Sequence, residues 1–220
     1  MDRLEKNLLY LKSSSSSSLS VDALLNAMRA NEAIDLRLLL ALCTEENLAI
    51  YELLEKDLSF EAKEIKFLVM DCDGVLTRGE MILNEDGSST KIFNVKDGMG
   101  IKRAQEAGMY TGIISAGTST GIVEKRAENL AMSHCYVGKR PKLEVLNEWL
   151  AALHLSIEQV AYIGDDVNDI PILEKAGLAF CPNNAVSAVK KHPKVRILKS
   201  LGGEGCLREM VEVLIKSHIE

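Results

Sequence analysis

The sequence predicts an α/β fold: a doubly wound, Rossmann-like parallel sheet with a β-hairpin insertion and an N-terminal helical extension. Three observations predict it. From residue 65 onward, short runs that are apolar throughout recur at strand length, as they do in a sheet covered on both faces. Helix-length stretches separate these runs. One segment, residues 79–98, breaks the alternation and holds a turn signal between two strand-like pieces.

In chain order, residues 1–62 are expected to form the helical extension and 63–220 the core domain. MDRLEKNLLYLKSSSSSS holds only a brief apolar patch whose start is interrupted by acidic residues, which speaks against a secretory signal. Ser13 to Ser18 read as a low-complexity linker. SVDALLNAMRANEAIDLRLLLALCTEENLAIYELLEKDL then carries apolar residues at three- and four-residue spacing. That pattern predicts two or three helices, with Ser20 as an N-cap. No residue there suggests chemistry, so the extension is expected to pack on a partner or on the main domain.

The expected strands of the core are IKFLVMD, MYTGIIS, SHCYVG, VAYIGDD, LAFCP and VRILK. The expected helices are GIKRAQEAG, GIVEKRAENLA, PKLEVLNEWLAALH and DIPILEKAG. The hairpin is GEMILNEDGSSTKIFNVKDG, turning at Asp86-Gly87.

Composition narrows the function. The chain has 220 residues, 47% of them apolar, enough for a sizeable core. A net charge of −6 without a basic block disfavours nucleic acid and anionic membranes as partners. No apolar run reaches the roughly 18 to 20 residues of a membrane span. Five cysteines without a CxxC suit free thiols in a cytoplasmic, reducing setting.

Chemistry is expected at the strand ends, where doubly wound sheets bind ligands. KFLVMDCDGVLT places Asp71 and Asp73 at the end of the first core strand, sharing a side if the strand geometry continues. AYIGDDVNDIP places Asp165, Asp166 and Asp169 at the end of another. Oxygen ligands from two strand ends, with few histidines in the chain, suit a hard cation such as Mg²⁺. Ser115 ends a third strand, and Lys139, Arg140 and Lys142 stand at a loop-to-helix junction; hydroxyl and cation suit phosphate oxygens. The four histidines lack ligand spacing, and Cys72 and Trp149 are read as packing residues.

DxDGVLT, a strand-end Ser, a Lys and GDDxxD, in that order, resemble the four motifs of haloacid dehalogenase superfamily phosphatases. The hairpin ending in FNVKDGMGIK, the GDDVND segment and GGEGCLRE resemble its capless branch, which contains 3-deoxy-manno-octulosonate 8-phosphate phosphatase. The resemblance implies a Mg²⁺-dependent phosphomonoesterase of lipopolysaccharide biosynthesis acting on a small phosphorylated sugar acid. Asp71 is then the nucleophile that forms an aspartyl-phosphate, and Asp73 the general acid and base. Asp71, the Asp73 backbone carbonyl and Asp165 hold the metal with Asp169 in support, while Ser115 and Lys142 stabilise the phosphoryl oxygens. Asn94, Val95, Lys96, Asp97, Gly98 and Lys102 are implied as substrate contacts, with Arg126 and Arg208 as further anionic contacts. A homotetramer is implied, its hairpins packing on neighbouring subunits and GGEGCLRE lying near a neighbour's site.

The chain departs from the family pattern in three places. Lys96 stands where the family usually has arginine, Ala116-Gly117 follow Ser115 where Gly-Arg is usual, and the helical extension is additional. The first two bear on substrate choice, between octulosonate 8-phosphate and nonulosonate 9-phosphate types. A non-catalytic binding or assembly protein and a phosphotransferase remain alternatives at this point.

Overall fold

Phe67 to Met70 have no solvent exposure, and the sheet is built around them. The computed structural model describes residues 3–14, 19–46, 48, 50–55, 64–117 and 120–216. It divides into two units, Met1–Ala62 and Lys63–Glu220.

The larger unit carries six strands: β1 (Phe67–Met70), β4 (Tyr110–Ser115), β5 (His134–Val137), β6 (Val160–Ile163), β7 (Leu178–Cys181) and β8 (Val195–Ile197). They pair in parallel in the order β5-β4-β1-β6-β7-β8. All six expected strands are present. Chain order runs outward from β1 through β4 to β5, then returns to β6 on the other side, so the topological switch lies at β1. Register places Met70 beside both Ile113 and Ile163, so neighbouring strands end at a common level. Each large apolar side chain buried here contributes about 1.5–3 kcal/mol.

Between β1 and β4 stands a separate antiparallel ladder of β2 (Ile82–Leu83) and β3 (Ser89–Thr90). Its turn is at the expected Asp86-Gly87: Gly87 donates to Asn84 O at 2.9 Å, and Ser88 N–H reaches Asp86 Oδ1 at 2.9 Å.

The smaller unit has its own core. Helices α1 (Arg3–Ser14), α2 (Leu19–Arg29), α3 (Leu36–Glu45) and α4 (Ile50–Glu55) bury Leu8, Leu24, Leu25, Leu42 and Leu53 against one another. Asn7 Nδ2 donates to Leu53 O at 2.7 Å within it. Two expectations are corrected. Ser13 and Ser14 finish α1 rather than opening a linker, while Ser15 to Ser18 lie outside the described residues. Ser20 lies inside α2; among the described residues Asp35 caps α3, accepting from Arg37 N at 2.8 Å. Residues 56–58 of the helical stretch are likewise outside the described residues.

The core helices are α5 (Val95–Glu106), α6 (Thr120–Asn129), α7 (Lys142–Leu153), α8 (Ile170–Leu173), α9 (Ser187–Lys190) and α10 (Cys206–Lys216). α5 begins earlier than expected because Asn94 caps it, Oδ1 accepting from Lys96 N at 2.9 Å. α10 was not expected. It buries Leu207, Met210, Val211 and Leu214, one stripe at helical spacing.

Candidate active site

The site forms where β1, β4 and β6 end. After Met70 the chain leaves extended geometry: Leu76 and Thr77 N–H both bond to Cys72 O, at 2.9 and 3.1 Å. That turn corrects the expectation that Asp71 and Asp73 share a strand face. Asp71 is buried, whereas the Asp73 side chain is 38% exposed at the mouth. Each has its own lysine.

Lys142 begins α7 and is 5% exposed. Its Nζ lies 3.0 Å from Asp71 Oδ1 and 2.7 Å from Asp169 Oδ1. Burial alone would push the Lys142 ammonium down, but the two carboxylates outweigh it and hold it above its ordinary range. Of the three candidate cations at this junction, Lys142 reaches the site; Lys139 is exposed and Arg140 pairs with Glu148.

Asp169 is fully engaged. Oδ1 accepts from Lys142 and from Tyr162 Oη at 2.5 Å; Oδ2 accepts from Asp165 N at 3.1 Å and Asp166 N at 3.2 Å. Those four bonds fill a carboxylate's capacity. Asp169 therefore adds charge and holds its neighbours in place. Gly164 makes this possible, since a Cβ there would lie 2.3 Å from Asp169 Cγ. Asp166 points outward and caps the next turn through Val167 N at 2.7 Å.

Asp71, Asp165 and Asp169 each offer an oxygen within 4.8 Å of the others. Asp165 Oδ1 is buried with no hydrogen-bond partner among the described residues. Burial raises Asp71 to about 7, against the pull of Lys142 and with the push of Asp169. Burial and then Asp169 raise Asp165 to about 7. Anionic oxygens crowded in this way, one of them unpartnered, fit a hard divalent cation. Gly74, at φ +88°, lets the first loop pass this close: a Cβ would lie 2.0 Å from Asp165 Oδ2.

Ser115 is buried at the end of β4, its Oγ accepting from Gly117 N at 3.2 Å. A Cβ placed on Gly117 would lie 3.3 Å from both Ser115 Oγ and Asp73 Oδ2, so these groups border one space. Asp73 Oδ1 accepts from Lys91 Nζ and from Thr77 Oγ1 at 3.4 Å. Cys72 is buried and its thiol is pushed up, first by burial and then by Asp73. Burial is thus the larger reason it is inert.

Beside this mouth lies a cavity of about 580 Å³ between the hairpin base and α5, lined on one side by Thr77, Arg78 and Glu80 and on the other by Asn94, Val95 and Lys96. Three of the expected substrate residues are therefore brought together there. Asp97 and Gly98 do not line it, and both are buried. Asp97 instead takes the N–H groups of Gly205, Leu207 and Arg208 at 3.0–3.2 Å and fixes the start of α10. Arg126 backs the wall, its Nη2 donating to Asn94 O at 3.4 Å and its guanidinium over Phe93. Lys102 is exposed on α5, and Arg208 Nε pairs with Glu212 at 2.6 Å; neither lines the cavity. GGEGCLRE braces the first loop and the start of α5 in its own chain: Gly203 N donates to Val75 O at 2.8 Å, and Asn94 Nδ2 to Gly203 O at 3.1 Å. Lys91, Tyr162, Thr77 and Arg78 were not singled out from sequence.

Comparisons with known proteins find relatives of this chain. Residues 136–200 match the family model of haloacid dehalogenase-like hydrolases. The 3-deoxy-D-manno-octulosonate 8-phosphate phosphatase KdsC of Escherichia coli is 34% identical over 164 residues, 72% of this chain and 84% of that protein. A probable YrbI family phosphatase from Pseudomonas syringae pv. phaseolica superposes with a TM-score of 0.71 at 44% identity, covering 75% of this chain and 93% of that one. The 3-deoxy-D-manno-octulosonate 8-phosphate phosphatase of Moraxella catarrhalis, solved with magnesium, phosphate and KDO, superposes with a TM-score of 0.68 at 33% identity, covering 74% and 92%.

Proposed function

Because the chain belongs to the haloacid dehalogenase-like hydrolases, in their capless branch, and is a phosphoric monoester hydrolase, we propose that it is a Mg²⁺-dependent phosphatase of a small phosphorylated sugar acid, of the 3-deoxy-octulosonate 8-phosphate or nonulosonate 9-phosphate type.

Asp71, Asp165 and the Asp73 backbone carbonyl would hold Mg²⁺, with Asp169 in support. When bound, the ion supplies positive charge that offsets the repulsion between Asp71 and a phosphate dianion. The chain's own residues do the rest. Asp71 Oδ1 accepts from Cys72 N at 2.7 Å and lies 3.0 Å from Lys142 Nζ, which holds the carboxylate in place for attack on phosphorus. As the new P–O bond forms, the ester P–O bond breaks, and its electron pair stays on the leaving oxygen, which takes a proton from Asp73. Asp73 then accepts a proton from water, whose oxygen attacks the aspartyl-phosphate and releases phosphate and the Asp71 carboxylate. Ser115 and Lys142 stabilise charge on the non-bridging oxygens.

The cavity beside Asp73 fits the body of the substrate. Phe93, Ile82 and Ile92 supply apolar walls, and Lys96 supplies positive charge for a carboxylate, while Arg78 is paired with Glu204 at 2.9 Å. The hairpin supports a homotetramer: Met81 and Leu83 stand 68–69% exposed on it. A cytoplasmic location completes the reading, in keeping with five free cysteines.

The observation that carries this proposal is the unpartnered Asp165 Oδ1, buried beside a nucleophile already held by Lys142. Phosphate release should be measured with Mg²⁺ across sugar-acid phosphates and simple sugar phosphates, alongside Asp71→Asn. Turnover of a sugar-acid phosphate that vanishes in the variant is expected. Silence of the folded wild-type protein across the panel would defeat the proposal.

A further inference from the structure

Lys91 follows β3 directly and points back from the hairpin into the mouth of the site. Its side chain is 9% exposed, so its ammonium has lost most of its water and needs a carboxylate. The structure gives it Asp73 Oδ1, the oxygen that Thr77 Oγ1 also approaches at 3.4 Å. The other oxygen, Oδ2, borders the space shared with Gly117 and Ser115. One oxygen is therefore anchored and the other is presented where β1 and β4 end.

We propose that Lys91 is a positioning residue for the acid–base work of Asp73, fixing its carboxyl from the base of the hairpin so that Oδ2 faces the leaving oxygen. This rests on the phosphatase reading above. Asp73 is partly exposed and, unheld, would sample rotamers that turn it from the substrate. Proton transfer to a leaving group falls off quickly once the acid leaves hydrogen-bond reach. Lys91 lies 18 residues from Asp73 in sequence, so the hairpin stem and the acid are coupled mechanically as well as electrostatically.

A positioning role predicts a dependence on the leaving group that mere structural damage does not. An alkyl alcohol must be protonated as it departs, whereas 4-nitrophenolate departs without help. With Mg²⁺ present, kcat/KM of wild type, Lys91→Met and Lys91→Arg should be measured on an alkyl phosphate the wild type turns over and on 4-nitrophenyl phosphate. Lys91→Met should lose about 10- to 100-fold on the alkyl ester, and less than about 3-fold on the aryl ester. KM should stay within about 3-fold of wild type, and Lys91→Arg should recover most of the alkyl activity. Equal losses on both esters, a rise in KM alone, or no loss would overturn the proposal. Should Lys91→Met not fold, Lys91→Gln carries the test by the same criterion. Wild-type inactivity on both esters would remove the phosphatase reading and this inference together; an active wild type with unbiased variants removes only the inference.

Discussion

Lys142 donates to Asp169 across 2.7 Å in a part of the molecule where the Lys142 side chain is 3% exposed and that of Asp169 not at all. The same ammonium lies 3.0 Å from Asp71, so one buried cation serves the nucleophile and the residue that orders the second acidic strand end. Removing it leaves Asp71, Asp165 and Asp169 facing one another. Lys142→Met should lower metal-free stability by about 3 kcal/mol, as for other broken buried pairs. Its turnover should fall by at least about 1,000-fold, because the non-bridging oxygens lose a preorganised cation. Tyr162→Phe is the control: Asp169 keeps Lys142, so it should cost only about 1 kcal/mol and less than about 10-fold in turnover. Urea unfolding and initial rates check both; an active Lys142→Met would show that the lysine is structural.

Stability without metal should fall as pH rises. Asp71 and Asp165 are raised from 3.8 to about 7, so between those values the folded chain holds protons that the unfolded chain has released. The folded state binding more protons makes the slope of unfolding free energy against pH negative. The contribution is fully present below about 4 and is lost by about pH 7 and above. Melting temperatures in EDTA should decline from pH 5.5 to 8, and Asp71→Asn, neutral at that position, should decline less steeply. Added Mg²⁺ should stabilise more at pH 8 than at pH 6, because its ligands must be deprotonated. A Mg²⁺ shift that does not change with pH would contradict the assigned ligands.

What was legible in the sequence was what local pattern controls. Strands buried on both faces read as unbroken apolar runs, and their ends bring Asp71, Ser115 and Asp165 to one edge of the sheet. The α10 stripe of Leu207, Met210, Val211 and Leu214 is equally local, lying at helical spacing in the sequence. Lys91 was not legible, because its pairing with Asp73 is set by how the hairpin folds back. The place of Asp97 at the start of α10 was not legible for a related reason: its partners lie 108 to 111 residues away, and nothing local tells a helix-capping carboxylate from a substrate contact. Asp73 was placed by strand periodicity at a point where the backbone already turns.

The hairpin should govern assembly. A ladder of two residue pairs is too small to stand alone in water, yet the hairpin around it exposes Met81 and Leu83. Leu83→Lys should convert the proposed tetramer to smaller species in light scattering at micromolar concentration, leaving the melting of the sheet domain little changed. An unaltered mass would move the interface elsewhere.

Two glycine substitutions separate backbone strain from damage to the site. Gly87 has φ +80° with open space around it, so Gly87→Ala meets only the conformational penalty, about 1 kcal/mol, and should leave turnover within about 2-fold. At Gly164 a Cβ would lie 2.3 Å from Asp169 Cγ and 2.6 Å from its Oδ2. Asp169 must then move, and with it go the bonds to Lys142, Tyr162 and the Asp165 and Asp166 amides. Gly164→Ala should therefore lose about 100-fold or more in turnover and most of its Mg²⁺-dependent rise in melting temperature. Calorimetry with and without Mg²⁺, read beside turnover, tests the pair. If Gly164→Ala matched Gly87→Ala in both measurements, the placement of Asp169 would not be what holds the site together.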